Sequence, residues 1–367
     1  MTTIKDLAGI VGVSHSTVAR ALNDHPAITP AVKARVRAAA EAHGYIANAA
    51  ARALRVQSGA LVGFVVPDIE ENDMAAMAKA IAECVNATGR QLVVACSGDA
   101  PERELAHVRA LVGARAAALV LMPSENPLPE TLALLGRLPT VQLVRRVAAL
   151  AAEAFVFDDE AGIQEATAHL LALGHRRIGY VGGSETVSTG AARLAGYRRA
   201  LREAGLAEDP ALVSTVAPHG PAAAGAFRLL FEAARPSAIV LGGPRITLGA
   251  AEAVAELRLN VPGELSLVGF GDRAWMRWWG PGLSTVALPA RELAQACGSH
   301  LVDLLRAVPR QGEAEGQAHA GALAPGLMLR GSTAPPLRGA TAPPLRGATA
   351  PPPAGQAARK VPRPRPG

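Results

Sequence analysis

Thr2-Thr3-Ile4-Lys5-Asp6-Leu7-Ala8-Gly9-Ile10-Val11-Gly12-Val13-Ser14-His15-Ser16-Thr17-Val18-Ala19-Arg20-Ala21-Leu22-Asn23 is a pair of short periodic runs joined by a turn. Ile4, Leu7, Ala8 and Val11 share one face at helical spacing. Gly12-Val13 breaks that run and supplies the turn. Ser14 is placed to cap a second helix through its hydroxyl, and Val18, Ala21 and Leu22 form that helix's buried side. Ala8 is small where the two helices meet. His15, Ser16, Thr17 and then Arg20 occupy the opposite face. This is the layout of a helix-turn-helix, whose second helix presents its first residues to base edges in the major groove of duplex DNA. Short polar side chains and Arg suit hydrogen bonding there. For His15 a solvated position without a contact is the alternative.

A third helix follows. Thr29 is its candidate N-cap and Pro30 fits its first position. Val32, Val36, Ala39 and Ala40 are its inner stripe, Gly44 ends it, and Lys33, Arg35 and Arg37 are its solvated or phosphate-facing charges. Tyr45-Ile46-Ala47-Asn48 then leads into Ala49-Ala50-Ala51-Arg52-Ala53-Leu54-Arg55, a run that Asn48 can cap.

The segments Thr3-Ile4-Lys5-Asp6-Leu7-Ala8, Val13-Ser14-His15-Ser16-Thr17-Val18-Ala19-Arg20-Ala21-Leu22-Asn23, Gly44-Tyr45-Ile46-Ala47-Asn48 and Ala51-Arg52-Ala53-Leu54 resemble the head and hinge of the LacI/GalR family of bacterial transcription regulators. The resemblance implies a head over residues 1–47 and a hinge helix and linker over 48–58 that order on operator DNA. It implies a DNA-contacting set of Thr3, Ser14, His15, Ser16, Thr17, Arg20, Asn23, Asn48, Arg52 and Leu54. Leu54 is the expected wedge in the minor groove, where an inserted apolar side chain bends the duplex. A homodimer on a palindrome is implied, with a tetramer left open.

Composition agrees with this reading. The chain has 367 residues, half of them apolar, enough to bury two or more cores. The net charge of +6 is uneven: residues 1–58 carry seven basic and three acidic side chains, residues 331–367 six basic and no acidic ones, and the body is mildly acidic. A basic head on an acidic body confines DNA contact to one end. Cys84, Cys96 and Cys297 lack metal-ligand spacing and are odd in number, so buried thiols in a reduced, cytoplasmic protein are expected. No apolar run reaches membrane-spanning length, and no membrane partner is expected.

Over residues 59–334, strand-like runs alternate with helical stretches: Leu61-Val62-Gly63-Phe64-Val65-Val66, Leu92-Val93-Val94-Ala95-Cys96 and Ala118-Leu119-Val120-Leu121-Met122, then, after Phe155-Val156-Phe157, Ile178-Gly179-Tyr180-Val181 and Ala238-Ile239-Val240-Leu241. This rhythm predicts parallel sheets covered by helices, with ligands at the carboxyl ends of the strands. Ala168-His169-Leu170-Leu171-Ala172-Leu173-Gly174-His175-Arg176-Arg177-Ile178, Arg193-Leu194-Ala195-Gly196-Tyr197 and Val261-Pro262-Gly263-Glu264-Leu265-Ser266-Leu267-Val268-Gly269-Phe270 are similar to the family's periplasmic-binding-protein-like core. The expected fold is therefore an all-α helix-turn-helix head with hinge helix, a two-lobed α/β core and a disordered C-terminal tail over 335–367. The resemblance implies a first lobe of about 59–157 plus 287–334, a second of about 158–286, dimerisation through the core, and a small-molecule effector in the cleft.

The effector contacts carry over only in part. Arg193 matches a ligand-gripping Arg, with an interlobe salt bridge as the alternative. Gly271 stands where an Asp is usual, with Asp272 beside it. Gly242-Gly243-Pro244-Arg245 replaces a polar pair, and Met74 an aromatic. All three tryptophans lie at 275, 278 and 279, spacing that would share one helical face; either a ring-gripping cleft wall or packing fits them. The effector set is thus Arg193, Asp272, Trp275, Arg245 and Met74. Arg193, Arg245, Arg273 and Arg145/Arg146 around a cleft point to an anionic effector, a sugar acid or other carboxylate.

Leu329-Arg330-Gly331-Ser332-Thr333-Ala334-Pro335-Pro336 recurs twice, with slight change, at a period of eight. Its composition predicts disorder beyond the first copy, and the basic end is either inert or weakly attracted to DNA. His169 and His175 lack metal-ligand company, and no metal, cofactor or enzymatic chemistry is anticipated, since phosphate loops, nucleophile elbows and zinc-protease motifs are missing. The expectation is a ligand-controlled repressor; the alternative is a solute-binding protein with no DNA role.

Overall fold

The computed structural model describes residues 2–22, 25–43, 59–70, 72–216, 220–306 and 321–337. The hinge, the expected contacts Asn23, Asn48, Arg52 and Leu54, and the tail beyond 337 lie outside the described residues.

The head is three helices: α1 (Ile4–Val11), α2 (His15–Leu22) and α3 (Pro30–Ala42). Leu7, Val11, Val18, Ala21 and Val36 close its core, the residues that periodicity selects. Gly12 ends α1 at φ +72°, in the left-handed region. Thr29 occupies the N-cap position of α3 without a side-chain cap bond, so Pro30 at the helix start is the stronger signal there. Arg35 is exposed, as expected, but also makes a structural bond. Its Nη2 donates to the Val11 carbonyl at 2.8 Å and ties α3 to the end of α1.

The core contains two six-stranded sheets. The first comprises β1 (Leu61–Val66), β2 (Gln91–Cys96), β3 (Ala118–Leu121), β4 (Thr140–Leu143), β5 (Ala154–Phe157) and β11 (Gly321–Leu323), in the order β11-β5-β4-β3-β1-β2 and parallel throughout. The second comprises β6 (Ile178–Gly182), β7 (Val213–Thr215), β8 (Ala238–Gly242), β9 (Ser266–Phe270), β10 (Ser284–Ala287) and β12 (Gly326–Met328), in the order β12-β10-β9-β8-β6-β7, with only β12 antiparallel.

Helices α4 (Asn72–Asn86), α5 (Pro101–Gly113), α6 (Pro129–Leu135) and α11 (Ala290–Arg306) cover the first sheet. Helices α7 (Asp159–Ala172), α8 (Ser188–Glu203), α9 (Gly220–Ala234) and α10 (Pro244–Glu256) cover the second. The central strands are therefore buried on both faces, in separate clusters, and most of them read as continuous apolar runs, while the edge strand β2 stays largely exposed.

The chain crosses between lobes after β5, after β10, and again between β11 and β12. The third crossing corrects the expected first-lobe segment 287–334. Only its part through β11 belongs there; β12 pairs with β10, and residues 330–334 bind the second lobe. The reason is pairing: β12 is too short to be recognised locally, and only the exposed edge of β10 gives its backbone partners.

The cysteines are free. Cys297 is buried, which pushes its thiol up to about 12, but Cys96, on the edge strand β2, is exposed rather than buried as expected. Among the described residues no helix is long and apolar enough to cross a membrane.

If Arg35 is a structural clasp, Arg35→Ala costs the head about 1–2 kcal/mol. Amide exchange across α1 in the full chain then accelerates about 5- to 30-fold, with the core unchanged; unaltered α1 protection refutes the assignment.

Candidate functional site

Two surfaces carry the chemistry. The first is the outer face of α2, where His15, Ser16 and Arg20 are exposed while Val18, Ala19 and Ala21 are buried. Ser14 starts the helix: its Oγ accepts from the Thr17 amide at 3.1 Å and lies 2.8 Å from both the Ser16 and Thr17 hydroxyls. Thr3 has a similar role for α1. Its amide and hydroxyl donate to Asp6 at 2.7 and 2.8 Å, and its Oγ1 accepts from the Asp6 amide at 3.3 Å. These bonds, the Thr3 amide foremost, hold the Asp6 carboxyl below its ordinary value. Ser14 and Thr3 are thus capping groups, which leaves His15, Ser16 and Arg20 as the projecting donors and acceptors.

The second surface is a cleft of about 620 Å³ between the lobes, lined from both sheets, within the range of small-molecule sites. Its walls come from segments that follow strand ends: Asp68 after β1, Gly98 and Asp99 after β2, Met122 after β3, Val144 and Arg145 after β4, Gly183 after β6, Gly243 to Arg245 after β8. Two of these carry strained backbone: Asp99 has φ +59° and Val144 φ +65°. A β-branched residue in the left-handed region is an outlier, and such strain concentrates at functional sites. Apolar lining includes Met74, Met77, Phe157, Ile246 and Leu288.

Each arginine on the lining is already paired. Arg193 on α8 donates through Nε to Asp159 at 3.0 Å and through Nη1 to the Gly242 carbonyl at 3.2 Å, and its guanidinium lies 4.0 Å from the Phe270 ring centre. Burial pushes the Asp159 carboxyl up, against the pull of Arg193. Arg145 grips Asp99 through both Nη atoms. Arg245, at the start of α10, reaches across the cleft to Asp68, with Glu70 at 3.6 Å. The Asp68 carboxyl is held low, first by the Glu70 amide and also by Arg245.

Asp73 stands apart. Its Oδ2 is buried without a hydrogen bond among the described residues, and burial pushes its carboxyl up against the opposing charge of Arg273. With Asp68, Asp73, Asp99 and Glu125 facing Arg145, Arg193 and Arg245, the cleft has no cationic excess.

Of the expected effector residues, Met74, Arg193 and Arg245 line the cleft and Asp272 and Trp275 do not. Asp272 is bound by Arg330 at 2.8 Å and by the Thr285 hydroxyl at 3.2 Å. Trp275 and Trp279 pack on a second-lobe core cluster, and Trp278 is 75% exposed. The shared face fails because residues 274–277 form a single 3-10 turn, and Gly280-Pro281-Gly282 precludes a longer helix. Gly271 has φ +80°, a left-handed backbone that favours glycine, and a Cβ there would sit 3.7 Å from Asp73 Oδ2.

Sequence reading passed over Asp68, Asp73 and Asp99, although their places beside strand ends were a usable signal. Among the described residues no group of three or more His, Cys, Asp and Glu is arranged to hold a metal.

The profile of bacterial regulatory proteins of the lacI family matches residues 3–48, and that of a periplasmic binding protein-like domain matches residues 167–333. The HTH-type transcriptional regulator GalR of Escherichia coli K12 is 33% identical over 296 residues, which cover 80% of this chain and 86% of GalR. The HTH-type transcriptional repressor PurR of Pectobacterium carotovorum is 29% identical over 309 residues, 83% of this chain and 90% of PurR. The crystal structure of the lac repressor dimer bound to operator and an anti-inducer superposes with a TM-score of 0.76 at 24% identity, over 91% of this chain and 99% of that one. A regulator CelR–cellobiose complex superposes with a TM-score of 0.66 at 25% identity, over 90% of this chain and all of that one.

Because burial raises the Asp73 carboxyl above its ordinary 3.8, its ionisation opposes folding once pH rises through the raised value. Asp73→Asn therefore raises Tm by about 2–4 °C at pH 7 and leaves it unchanged at pH 3. A gain that persists at pH 3 excludes the titration as its source.

Proposed function

The chain belongs to the LacI family of bacterial regulatory proteins, as a DNA-binding transcriptional regulator with an effector-binding domain, and we propose that it is a repressor binding a palindromic operator as a homodimer. The observation that carries this reading is the projecting face of α2, with His15, Ser16 and Arg20 exposed above a helix seated by Val18 and Ala21. Arg20 and Ser16 read base edges, His15 contacts a base or phosphate, and the hydroxyls of Ser14 and Thr17 flank them. Thr3, Asn23, Asn48 and Arg52 add backbone contacts and Leu54 the minor-groove wedge, by resemblance to the family.

A second copy is supported by β2, an edge strand on which Val93 and Val94 are each 37% exposed. Such an edge invites pairing unless it is covered. A solute-binding role without DNA leaves the complete three-helix head without a use.

The effector sits in the interlobe cleft, against Arg193, Arg245, Met74 and Asp73. The carboxylate class anticipated from the arginines is not the one favoured. A carboxylate would have to displace an acid already seated on each arginine, against a lining with no cationic excess. Paired Asp and Arg groups offer alternating acceptors and donors, which suit the hydroxyls of a neutral sugar or related polyol.

A gel shift with the palindrome upstream of the gene tests the head: Arg20→Ala weakens binding about 10- to 100-fold with an unaltered core Tm, and an undiminished shift removes Arg20 from the readout. A thermal-shift screen tests the cleft. Neutral sugars raise Tm; a response confined to sugar acids overturns the neutral class.

A further inference from the structure

The segment after β12 is bolted into a groove of the second lobe at almost every position. Arg330 donates through Nη1 to the Leu283 carbonyl at 2.7 Å and through Nη2 to Asp272 at 2.9 Å. Gly331 lies so close to Pro281 that a Cβ would fall 2.6 Å from its carbonyl oxygen. Ser332 is fully buried; its Oγ accepts from the Ser284 amide at 2.8 Å and donates to the Leu267 carbonyl at 2.6 Å. The Thr333 hydroxyl meets His169 Nε2 at 3.0 Å. The Ala334 carbonyl accepts from His175 Nε2 at 2.9 Å and from the Ser266 hydroxyl at 3.0 Å, and its amide donates back to Ser266. Leu329, at the first position, is 57% exposed, so the groove reads the residues that follow it.

These requirements recur in the chain. Residues 337–344 read Leu-Arg-Gly-Ala-Thr-Ala-Pro-Pro, and residues 345–352 repeat that text. Arg338 and Arg346 reproduce Arg330, Gly339 and Gly347 the glycine that Pro281 demands, and Thr341 and Thr349 the partner of His169. The one position that differs is the buried one: Ala340 and Ala348 stand in place of Ser332.

We propose that this groove is a docking site for the octapeptide, that the copy at 337–344 is its alternate occupant, and that Ser332 sets the register by favouring the first copy. Seating the second copy loops out eight residues after β12, and the entropy of such a loop grows only slowly with its length. It also leaves the Ser284 amide and the Leu267 carbonyl without the hydroxyl, and a buried group stripped of its partner is costly. The two costs together hold the first copy in place in the unmodified chain. Weakening that copy hands the groove to the next.

The test compares thermal unfolding of the full chain with a chain ending at Pro336, each with and without Arg330→Glu, which sets a carboxylate against Asp272. Truncation alone moves Tm by no more than about 1 °C. Arg330→Glu lowers Tm of the truncated chain, or prevents its folding, while the full chain loses less than half as much, because 337–344 takes the groove. Adding Arg338→Glu and Arg346→Glu to the full-length variant abolishes the rescue. Equal losses in both lengths, failure of both to fold, or a rescue that survives the added substitutions overturns the proposal.

Discussion

Parallel strands buried on both faces leave the chain one place to be polar and irregular within each lobe: the loops at the strand ends. In this protein two such sheets stand with those ends toward a common cleft, because the chain passes between them after β5, β10 and β11. The arrangement decides where the remaining chemistry can sit. Acids and arginines that are dozens of residues apart in sequence meet there, Arg245 with Asp68 and Arg145 with Asp99. Backbone strain at Asp99 and Val144 is tolerated for the same reason, since the flanking strands over-determine those turns.

Burial then governs the charges. An arginine taken out of water needs a partner, and each one on the cleft lining has found it within the protein. The consequence is a site rich in guanidinium groups that is not cationic. Asp73 is the exception on the lining: its buried Oδ2 has no hydrogen bond among the described residues, and burial pushes its carboxyl up. Counting arginines in the sequence overstates the positive potential, because it counts side chains and not their partners.

Legibility followed the range of the interactions. The head could be read residue by residue, since Leu7, Val11, Val18 and Val36 are placed by helical period and Gly12 and Ser14 by local turn and cap geometry. The strands β1, β2, β3, β5, β6 and β8 were equally plain as apolar runs, whereas the short β7, β11 and β12 and the mixed β4 were not. Asp272 was misread as an effector ligand because its true partner, Arg330, is 58 residues away. Trp275 follows the packing alternative and not the cleft-wall one, because its segment makes one 3-10 turn and no shared helical face forms. Gly271, which stands where an Asp is usual in the family, has a left-handed backbone that the sequence did not announce.

The sequence by itself determined the kinds of element, the DNA-reading head with its exposed polar face, the two-lobed α/β core and the family, all of which rest on contacts between near neighbours or on motifs several residues long. Only the tertiary structure decided which lobe owns residues 326–334, which acid neutralises which arginine, and that the first octapeptide copy is held by Asp272, Ser284, His169 and His175. Those outcomes depend on pairings between distant segments, and a distant pairing has no period or spacing in the chain that would announce it.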